Sequence, residues 1–218
     1  MKKIAVMGGT LFDTALGVNI LKTRGYATIA LPLCQNPKEQ SHMQMLKKEE
    51  LTNLAIEKIK PHRDEIFGVF VYCNSFSAAS DIDRIRRELN IKVVTPLDQY
   101  KKYAKAHQRL LIWAANAQSA AKIESILEEN NPGIDMISLS FLPLVEAIEE
   151  DLGFSNIDNR LKLKALLNVF MQMEIAGKKI DTLLLGCTHF PYLIDGLKEI
   201  KGLKLLDPAE DMIKELLE

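Results

Sequence analysis

Short apolar runs alternate with amphipathic stretches along the whole chain of 218 residues. The apolar runs are bounded by Gly, Pro, Asn or Asp, which is typical of β-strands, whereas the stretches between them carry apolar residues every three or four positions, which is typical of α-helices. Strict alternation of strand and helix predicts parallel sheets with helices on both faces. In such α/β folds, ligands bind at the carboxyl ends of the strands.

The boundaries of these elements follow from the same pattern. The predicted strands are residues 3–7, 27–31, 66–72, 92–95, 110–114, 134–139, 181–185 and 203–206. The predicted helices are residues 14–24, 47–60, 77–89, 97–107, 117–130, 142–151, 160–177, 191–200 and 209–217.

The composition excludes several classes of protein. The 28 Lys and Arg residues balance 29 Asp and Glu residues, and a net charge of −1 gives no general attraction to nucleic acid or to anionic membranes. The basic start, MKKIAVMGGT, is followed by too short an apolar run for a signal peptide, and no stretch approaches the about 18 apolar residues of a membrane span. We therefore expect a cytoplasmic protein that acts on a small soluble molecule.

Two segments of the chain resemble each other. GVFVYCNSFSAA (68–79) and TLLLGCTHFPYL (182–193) each run from an apolar strand through a cysteine, two polar residues and an aromatic residue into a predicted helix. Their separation along the chain is about the length of one small α/β domain. This arrangement predicts two similar lobes, each with a cysteine at the carboxyl end of a strand and with the active site in the cleft between them.

The three cysteines are predicted to be free thiols. Cys34, Cys73 and Cys187 are odd in number and widely spaced, which argues against a disulfide scaffold or a zinc ribbon. A lone buried cysteine is most often a packing residue, and Cys34 is interpreted in that way. Cys73 and Cys187 repeat one arrangement at the start of a helix, where backbone N–H groups stabilise a thiolate.

Two thiols suit the racemisation of an amino acid. The reaction removes the Cα proton from one face and delivers a proton to the other, so one group acts as a base while its partner acts as an acid. A thiolate and a thiol exchange these roles at each turnover, and the reaction requires neither a metal nor a redox change.

The motifs of the chain resemble those of a known family. LGCTHFPYL (185–193), FLPLVEAIEE (141–150), LLDPAEDMIKEL (205–216) and FDT (12–14) are together similar to the motifs of glutamate racemase, in the aspartate/glutamate racemase superfamily. The resemblance implies two α/β lobes, residues 1–96 with 190–218 and residues 97–189. It also implies catalysis by Cys73 and Cys187 without pyridoxal phosphate or another cofactor, a role in D-glutamate supply for the cell wall, and a homodimer.

The resemblance assigns roles to residues around the first cysteine. Asp13 is expected to manage the proton of Cys73, although an aspartate here is also an ordinary helix-capping residue. Thr14 takes the place of a serine that contacts the substrate, and its alternative role is that of a first-turn helix residue. Asn74 and Ser75 are expected to bind the substrate carboxylate, although turn formation and capping explain them as well.

The second cysteine has a corresponding set. Glu146, the glutamate of PLVE, and His189 are expected to lie near Cys187, and Thr188 is expected to contact the substrate. A solvated helix residue, a loop or capping histidine and a turn residue are the respective alternatives.

The chain also departs from the family pattern. FDTALGVNIL lacks a double glycine, the loop LPLCQNPKEQS (31–41) lacks Pro-Tyr-Gly, and two threonines are replaced near residues 113–118. These departures concern contacts with the substrate side chain. They leave open an aspartate or broad-specificity racemase, an isomerase or decarboxylase of a dicarboxylic acid, and a non-catalytic amino-acid-binding protein.

Overall fold

The computed structural model describes residues 2–35, 39, 43, 45–175 and 177–218. The described chain forms two compact units: residues 1–99 with 209–218, and residues 100–208. The expected loop 31–41 lies partly outside the described residues, because 36–38 and 40–41 are among those omitted.

The first unit contains a four-stranded parallel sheet. Its strands are β1 (Lys3–Gly8), β2 (Thr28–Pro32), β3 (Ile66–Tyr72) and β4 (Lys92–Val94), in the order β2-β1-β3-β4. Its helices are α1 (Leu11–Lys22), α2 (Lys48–Ile59), α3 (Asn74–Ala79), α4 (Ile82–Leu89), the start of α5 (Pro96–Ala106) and the last helix of the chain, Ala209–Leu217. A 3-10 turn, Lys60–His62, follows α2.

Both faces of this sheet are buried. On β1, Ala5 and Met7 join the apolar cluster that includes residues of α2 and α4. Ile4 and Val6 alternate with them and join the opposite cluster, which includes residues of α1 and of the helix Ala209–Leu217. A strand that is buried on both faces reads as a continuous apolar run, as KIAVMG does.

The second unit contains another four-stranded parallel sheet. Its strands are β5 (Arg109–Ala114), β6 (Asp135–Ser140), β9 (Thr182–Gly186) and β10 (Lys204–Leu206), in the order β10-β9-β5-β6. The intervening helices are α6 (Ala117–Asn130), α7 (Leu142–Glu149), α8 (Gly153–Leu161), α9 (Leu163–Gln172) and α10 (Ile194–Leu197). The last helix of the chain, which belongs to the first unit, is numbered α11 (Ala209–Leu217). A short antiparallel hairpin, β7 (Glu174–Ile175) with β8 (Lys178–Lys179), and a 3-10 turn, Phe190–Leu193, complete it.

The two sheets confirm the predicted α/β class with two similar lobes. The division of the chain differs from the expected one, because only residues 209–218 return to the first unit. Residues 190–208 group with the second unit because β10 pairs with β9 there. The placement of an active site in a cleft between the lobes stays a prediction.

Some expected helices are shorter than the pattern predicts. The stretch 160–177 is interrupted at Lys162, which adopts a left-handed conformation with φ 57°, and it ends in the β7-β8 hairpin. The stretch 77–89 is broken at Ser80, which has extended backbone, and Asp81 caps the next helix by accepting a hydrogen bond from the Arg84 N–H.

Each sheet has one point at which the chain winds in opposite directions. In the first unit this switch lies between β1 and β3, and in the second it lies between β5 and β9. Ligands of open α/β sheets bind outside the carboxyl ends of the strands at such a switch. Cys73 follows β3 and Cys187 follows β9, so each cysteine lies at the switch of its own sheet.

Candidate active site

Cys73 occupies the N-cap position of α3. Its sulfur accepts a hydrogen bond from the Phe76 N–H at 3.4 Å, and the residue is only 2% exposed. An N–H group that donates to sulfur stabilises the thiolate form. Asn74 and Ser75 follow in the first turn of α3 and are also buried. The structure therefore places these three residues, all predicted from the sequence, at the carboxyl end of β3 in the first sheet.

Asp13 lies in the first turn of α1, the helix that follows the neighbouring strand β1. Its carboxylate accepts hydrogen bonds from the Gly9 N–H at 3.0 Å and the Thr10 N–H at 2.7 Å. Thr10, not Asp13, is the N-cap of α1, and the two residues form a capping box. Asp13 is thus a buried carboxylate held in a fixed orientation at the carboxyl edge of the sheet.

Thr14 uses its hydroxyl within the same turn. The hydroxyl donates to the Thr10 carbonyl at 2.6 Å, which matches the alternative role of a helix residue. The turn requires a glycine at position 8, because a Cβ there would overlap the Thr14 Oγ1 and would lie 2.6 Å from the Asp13 Oδ1. Gly8 therefore serves the tight strand-to-helix turn.

Cys187 lies directly after β9, where the chain passes very close to β5. A Cβ on Gly186 would lie 2.7 Å from the Trp113 carbonyl oxygen, so only glycine fits before the cysteine. Cys187 is 5% exposed, and its sulfur lies 3.6 Å from the His189 Nδ1. Thr188, between them, is buried as well.

A carboxylate lies on the other side of the imidazole. The His189 Nε2 is 2.8 Å from the Glu149 Oε1, and the His189 side chain is only 3% exposed. Glu149, His189 and Cys187 therefore form a continuous chain of polar contacts within the second unit. Such a chain resembles the arrangement of acid, histidine and nucleophile in which the acid orients the imidazole and stabilises its charged form.

The glutamate that contacts His189 is not the one expected from the sequence. The Glu146 side chain is exposed and makes no hydrogen bond or ion pair with the described residues, whereas Glu149, one helical turn later on α7, contacts His189. The PLVE motif pointed to Glu146, and sequence reasoning missed Glu149.

Two residues of the segment 113–118, which departs from the family pattern, have structural roles. Trp113 is fully buried, with its ring edge-on to Phe141 at 5.6 Å and to Phe190 at 6.3 Å, as a core residue. Asn116 caps α6 by accepting a hydrogen bond from the Ser119 N–H at 2.9 Å.

Cys34 is a packing residue, as expected. Its thiol donates to the Met43 sulfur at 3.5 Å within the apolar cluster of the first unit. Burial, followed by the negative charges of Glu39 and Asp13, raises the pKa of the Cys34 thiol, so this cysteine stays protonated at neutral pH.

The candidate site residues thus fall into two sets, which we name by their cysteines; Glu149 takes the place of the expected Glu146. The Cys73 half-site comprises Asp13, Thr14, Cys73, Asn74 and Ser75. The Cys187 half-site comprises Glu149, Cys187, Thr188 and His189.

Two searches of the described residues bear on other kinds of protein. Within residues 2–35, 39, 43, 45–175 and 177–218, no group of three or more His, Cys, Asp or Glu side chains could hold a metal ion. In the same part of the chain, no helix has both the length and the apolar character that crossing a bilayer requires.

Known proteins with similar sequences are glutamate racemases. Those of Fusobacterium nucleatum and Limosilactobacillus reuteri are 25% identical over 157 residues and 28% identical over 179 residues. The matches cover 69% and 78% of this chain but only 55% and 64% of those proteins, so the chain spans less than two thirds of their length. No protein-family model matches the chain.

Solved structures of racemases share the fold. The glutamate racemase isoform of Bacillus anthracis matches with a TM-score of 0.72 at 19% identity, over 99% of this chain and 80% of that one. A glutamate racemase of Francisella tularensis, in complex with D-glutamate, matches with a TM-score of 0.68 at 21% identity, over 99% and 81%. An aspartate racemase homologue of Pyrococcus horikoshii matches with a TM-score of 0.69 at 21% identity, over 100% and 98%. Both comparisons confirm the resemblance to the aspartate/glutamate racemase superfamily.

Proposed function

We propose that this chain, which has the fold of the aspartate/glutamate racemase superfamily, is an amino-acid racemase that interconverts L- and D-glutamate with Cys73 and Cys187 as its two bases. The observation that carries the proposal is the repeated placement of a cysteine at the switch point of each parallel sheet, where this fold class binds ligands. The sequence similarity to glutamate racemases supports the same reaction.

The reaction balances with protons alone. A thiolate takes the Cα proton and becomes a thiol, and the electron pair left on the substrate spreads onto its α-carboxylate. The thiol of the other cysteine then gives its proton to the opposite face and becomes the thiolate. The enzyme is left with the two protonation states exchanged, ready for the reverse direction.

In the Cys187 half-site, His189 and Glu149 would manage this proton. The imidazole lies within reach of the sulfur, and a carboxylate on its far side stabilises the imidazolium form. The contact between Glu149 and His189 is largely withdrawn from water, so its electrostatic effect is stronger than at the surface.

In the Cys73 half-site, a backbone donor and a carboxylate are in place. The Phe76 N–H already points at the sulfur, and Asp13 is a carboxylate fixed by backbone donors. Asn74, Ser75 and, in the other half-site, Thr188 are our candidates for binding the substrate carboxylate, since amide and hydroxyl donors stabilise the charge that develops there.

Aspartate is the second candidate substrate. The chain covers 98% of the aspartate racemase homologue from P. horikoshii, against about 80% of the glutamate racemase structures. The chain departs from the glutamate racemase pattern around residues 31–41 and 113–118. These residues are expected to contact the substrate side chain, so they would decide between glutamate and aspartate as the substrate.

One experiment separates racemisation from its alternatives. Purified protein is incubated in D2O without added cofactor, separately with each enantiomer of glutamate and of aspartate, and both Cα deuterium and optical rotation are followed. Exchange with inversion supports the proposal. Release of CO2 or migration of a double bond in an added diacid supports an isomerase or decarboxylase. Inertness with ligand-induced thermal stabilisation supports a binding protein.

Single cysteine variants then test the two-base mechanism. Cys73→Ala and Cys187→Ala should each abolish inversion, while the remaining thiolate still exchanges deuterium into one enantiomer, a different one for each variant. Cys34→Ala is the matched control and should keep activity, because Cys34 packs in the core. Normal racemisation by either active-site variant contradicts the assignment.

The proposal extends to the role of the product. Supply of D-glutamate for peptidoglycan synthesis in the cytoplasm is the role that the resemblance implies. Deletion of the gene should then make growth depend on added D-glutamate, unless a second racemase is present, which a double deletion resolves.

A further inference from the structure

A polar cavity lies at the amino end of the second sheet. It has a volume of about 270 Å³ and is lined at the amino ends of β5, β9 and β10, with His107, Arg109, Asp181, Thr182 and Lys204 among its walls. The Cys187 half-site lies beyond the carboxyl end of β9. The cavity and the Cys187 half-site therefore lie at opposite ends of the strands of one sheet.

The cavity carries an excess of positive charge. Of its charged walls, Arg109, Lys179 and Lys204 are cationic and only Asp181 is anionic. Asp181 is already satisfied within the protein, because one of its oxygens accepts from the Lys204 Nζ at 2.6 Å and the other accepts from the Thr182 hydroxyl at 2.7 Å. Lys204 is thereby neutralised as well.

Two cationic groups keep unused hydrogen-bonding capacity. Arg109 forms an ion pair with Asp135, but at 3.8 Å the contact is too long for a hydrogen bond. Lys179 has no ion pair with any residue that the structure describes, although it faces the cavity. A guanidinium fork and an ammonium group at one small cavity are the donors that recognise phosphoryl oxygens.

His107 adds a neutral ring to the same wall. Burial, followed by the positive charge of Lys204, lowers the pKa of His107, while Asp181 opposes the shift. The ring also packs edge-on against Tyr103, which holds its orientation. An anion in the cavity would favour the charged imidazolium, so binding should be visible at this residue.

We propose that this cavity binds a small doubly charged oxyanion, either inorganic phosphate or the phosphoryl group of a small metabolite. Its volume is below the range of about 300–1,000 Å³ that is usual for drug-sized ligands, which favours an ion or a short phosphorylated molecule. The site is independent of the proposed racemase reaction and uses none of its residues.

The test follows the histidine by NMR in the full chain. Phosphate is titrated at constant ionic strength, and the C2 proton of His107 is assigned by its loss in His107→Gln. Saturable shifts and a raised pKa of His107 are expected. Glycerol 3-phosphate is titrated in parallel: tighter binding than phosphate identifies a metabolite, and weaker binding identifies the free ion. Succinate, a dicarboxylate, should bind much more weakly than either.

Neighbouring lysines provide the control. Lys179→Gln should weaken phosphate binding by about fivefold, the effect of one partly screened charge. Lys178→Gln removes the same charge one residue away and should leave the affinity unchanged, since Lys178 is exposed and does not line the cavity. Non-saturable shifts, equal losses in the two variants, or succinate binding as tight as that of phosphate would overturn the proposal.

Discussion

Replacing Glu149 by Gln tests the most specific feature of the Cys187 half-site. The carboxylate lies 2.8 Å from the imidazole of His189, and the two side chains are only 18% and 3% exposed. The substitution keeps the size of the side chain and a hydrogen-bond acceptor but removes the negative charge. His189 then loses the group that stabilises its charged form when it exchanges a proton with Cys187.

The expected magnitude follows from the burial of this contact. A hydrogen bond to a charged group contributes about 1.5–3 kcal/mol when it is withdrawn from water. Taking about 2 kcal/mol as the loss in the transition state, and about 1.4 kcal/mol for each factor of ten, kcat/KM should fall roughly thirtyfold.

Glu146→Gln is the matched control. Glu146 lies on the same helix and is exposed, so its substitution should change kcat/KM by less than about twofold. Initial rates are measured by circular dichroism with each enantiomer of glutamate over a range of pH. The temperature is kept below the onset of unfolding of each variant. Equal rates in the two variants, or a larger loss in Glu146→Gln, would show that Glu149 does not support His189.

Three further predictions concern stability, measured by urea unfolding. Gly186→Ala should destabilise the protein by about 1–3 kcal/mol, because its Cβ would lie 2.7 Å from the Trp113 carbonyl oxygen; an unchanged midpoint would show that the strands can separate there. Asn116→Ala should cost about 1 kcal/mol by removing the acceptor for the Ser119 N–H, and a loss below a few tenths would mean that the cap is replaced. Burial lowers the pKa of His107 in the folded state, so the unfolded state binds more protons and the free energy of unfolding falls as pH drops below about 6.5. His107→Gln should make this decrease shallower. The same pH dependence in the variant and the parent protein would contradict the prediction.

The sequence was sufficient for the central strands of the sheets because these are buried on both faces. A run such as KIAVMG must lie between two layers of helix, and its boundaries follow from local turn residues. The assignment of residues 204–206 to a sheet could not be made in this way. KLL fits the edge of either parallel sheet, and only the observed pairing of Leu205 with Leu183 decides between them.

The contact of Glu149 with His189 was also open to sequence reasoning, although the motif pointed to Glu146. Successive residues of a helix are rotated by about 100°. The buried face of α7 is formed by Leu144, Val145, Ala147 and Ile148. Glu149 lies about 40° beyond Val145, at the border of that face, whereas Glu146 lies about 100° from the nearest buried residue. Helical phase therefore carried a signal that matching by motif position did not use.

The two half-sites differ in chemistry although their strands and turns are alike. Cys187 has an imidazole and a carboxylate behind it, and the Cys73 sulfur accepts a hydrogen bond from the backbone N–H of Phe76. It would be natural to expect a defect at Glu149 to slow only one direction of the reaction. Enantiomers have equal free energies, however, so kcat/KM must be equal in the two directions for every variant at every pH. Asymmetry between the thiols can alter kcat and KM separately for each enantiomer, but their ratio must fall equally. If Glu149→Gln lowered kcat/KM for one enantiomer alone, the activity being measured would not be racemisation.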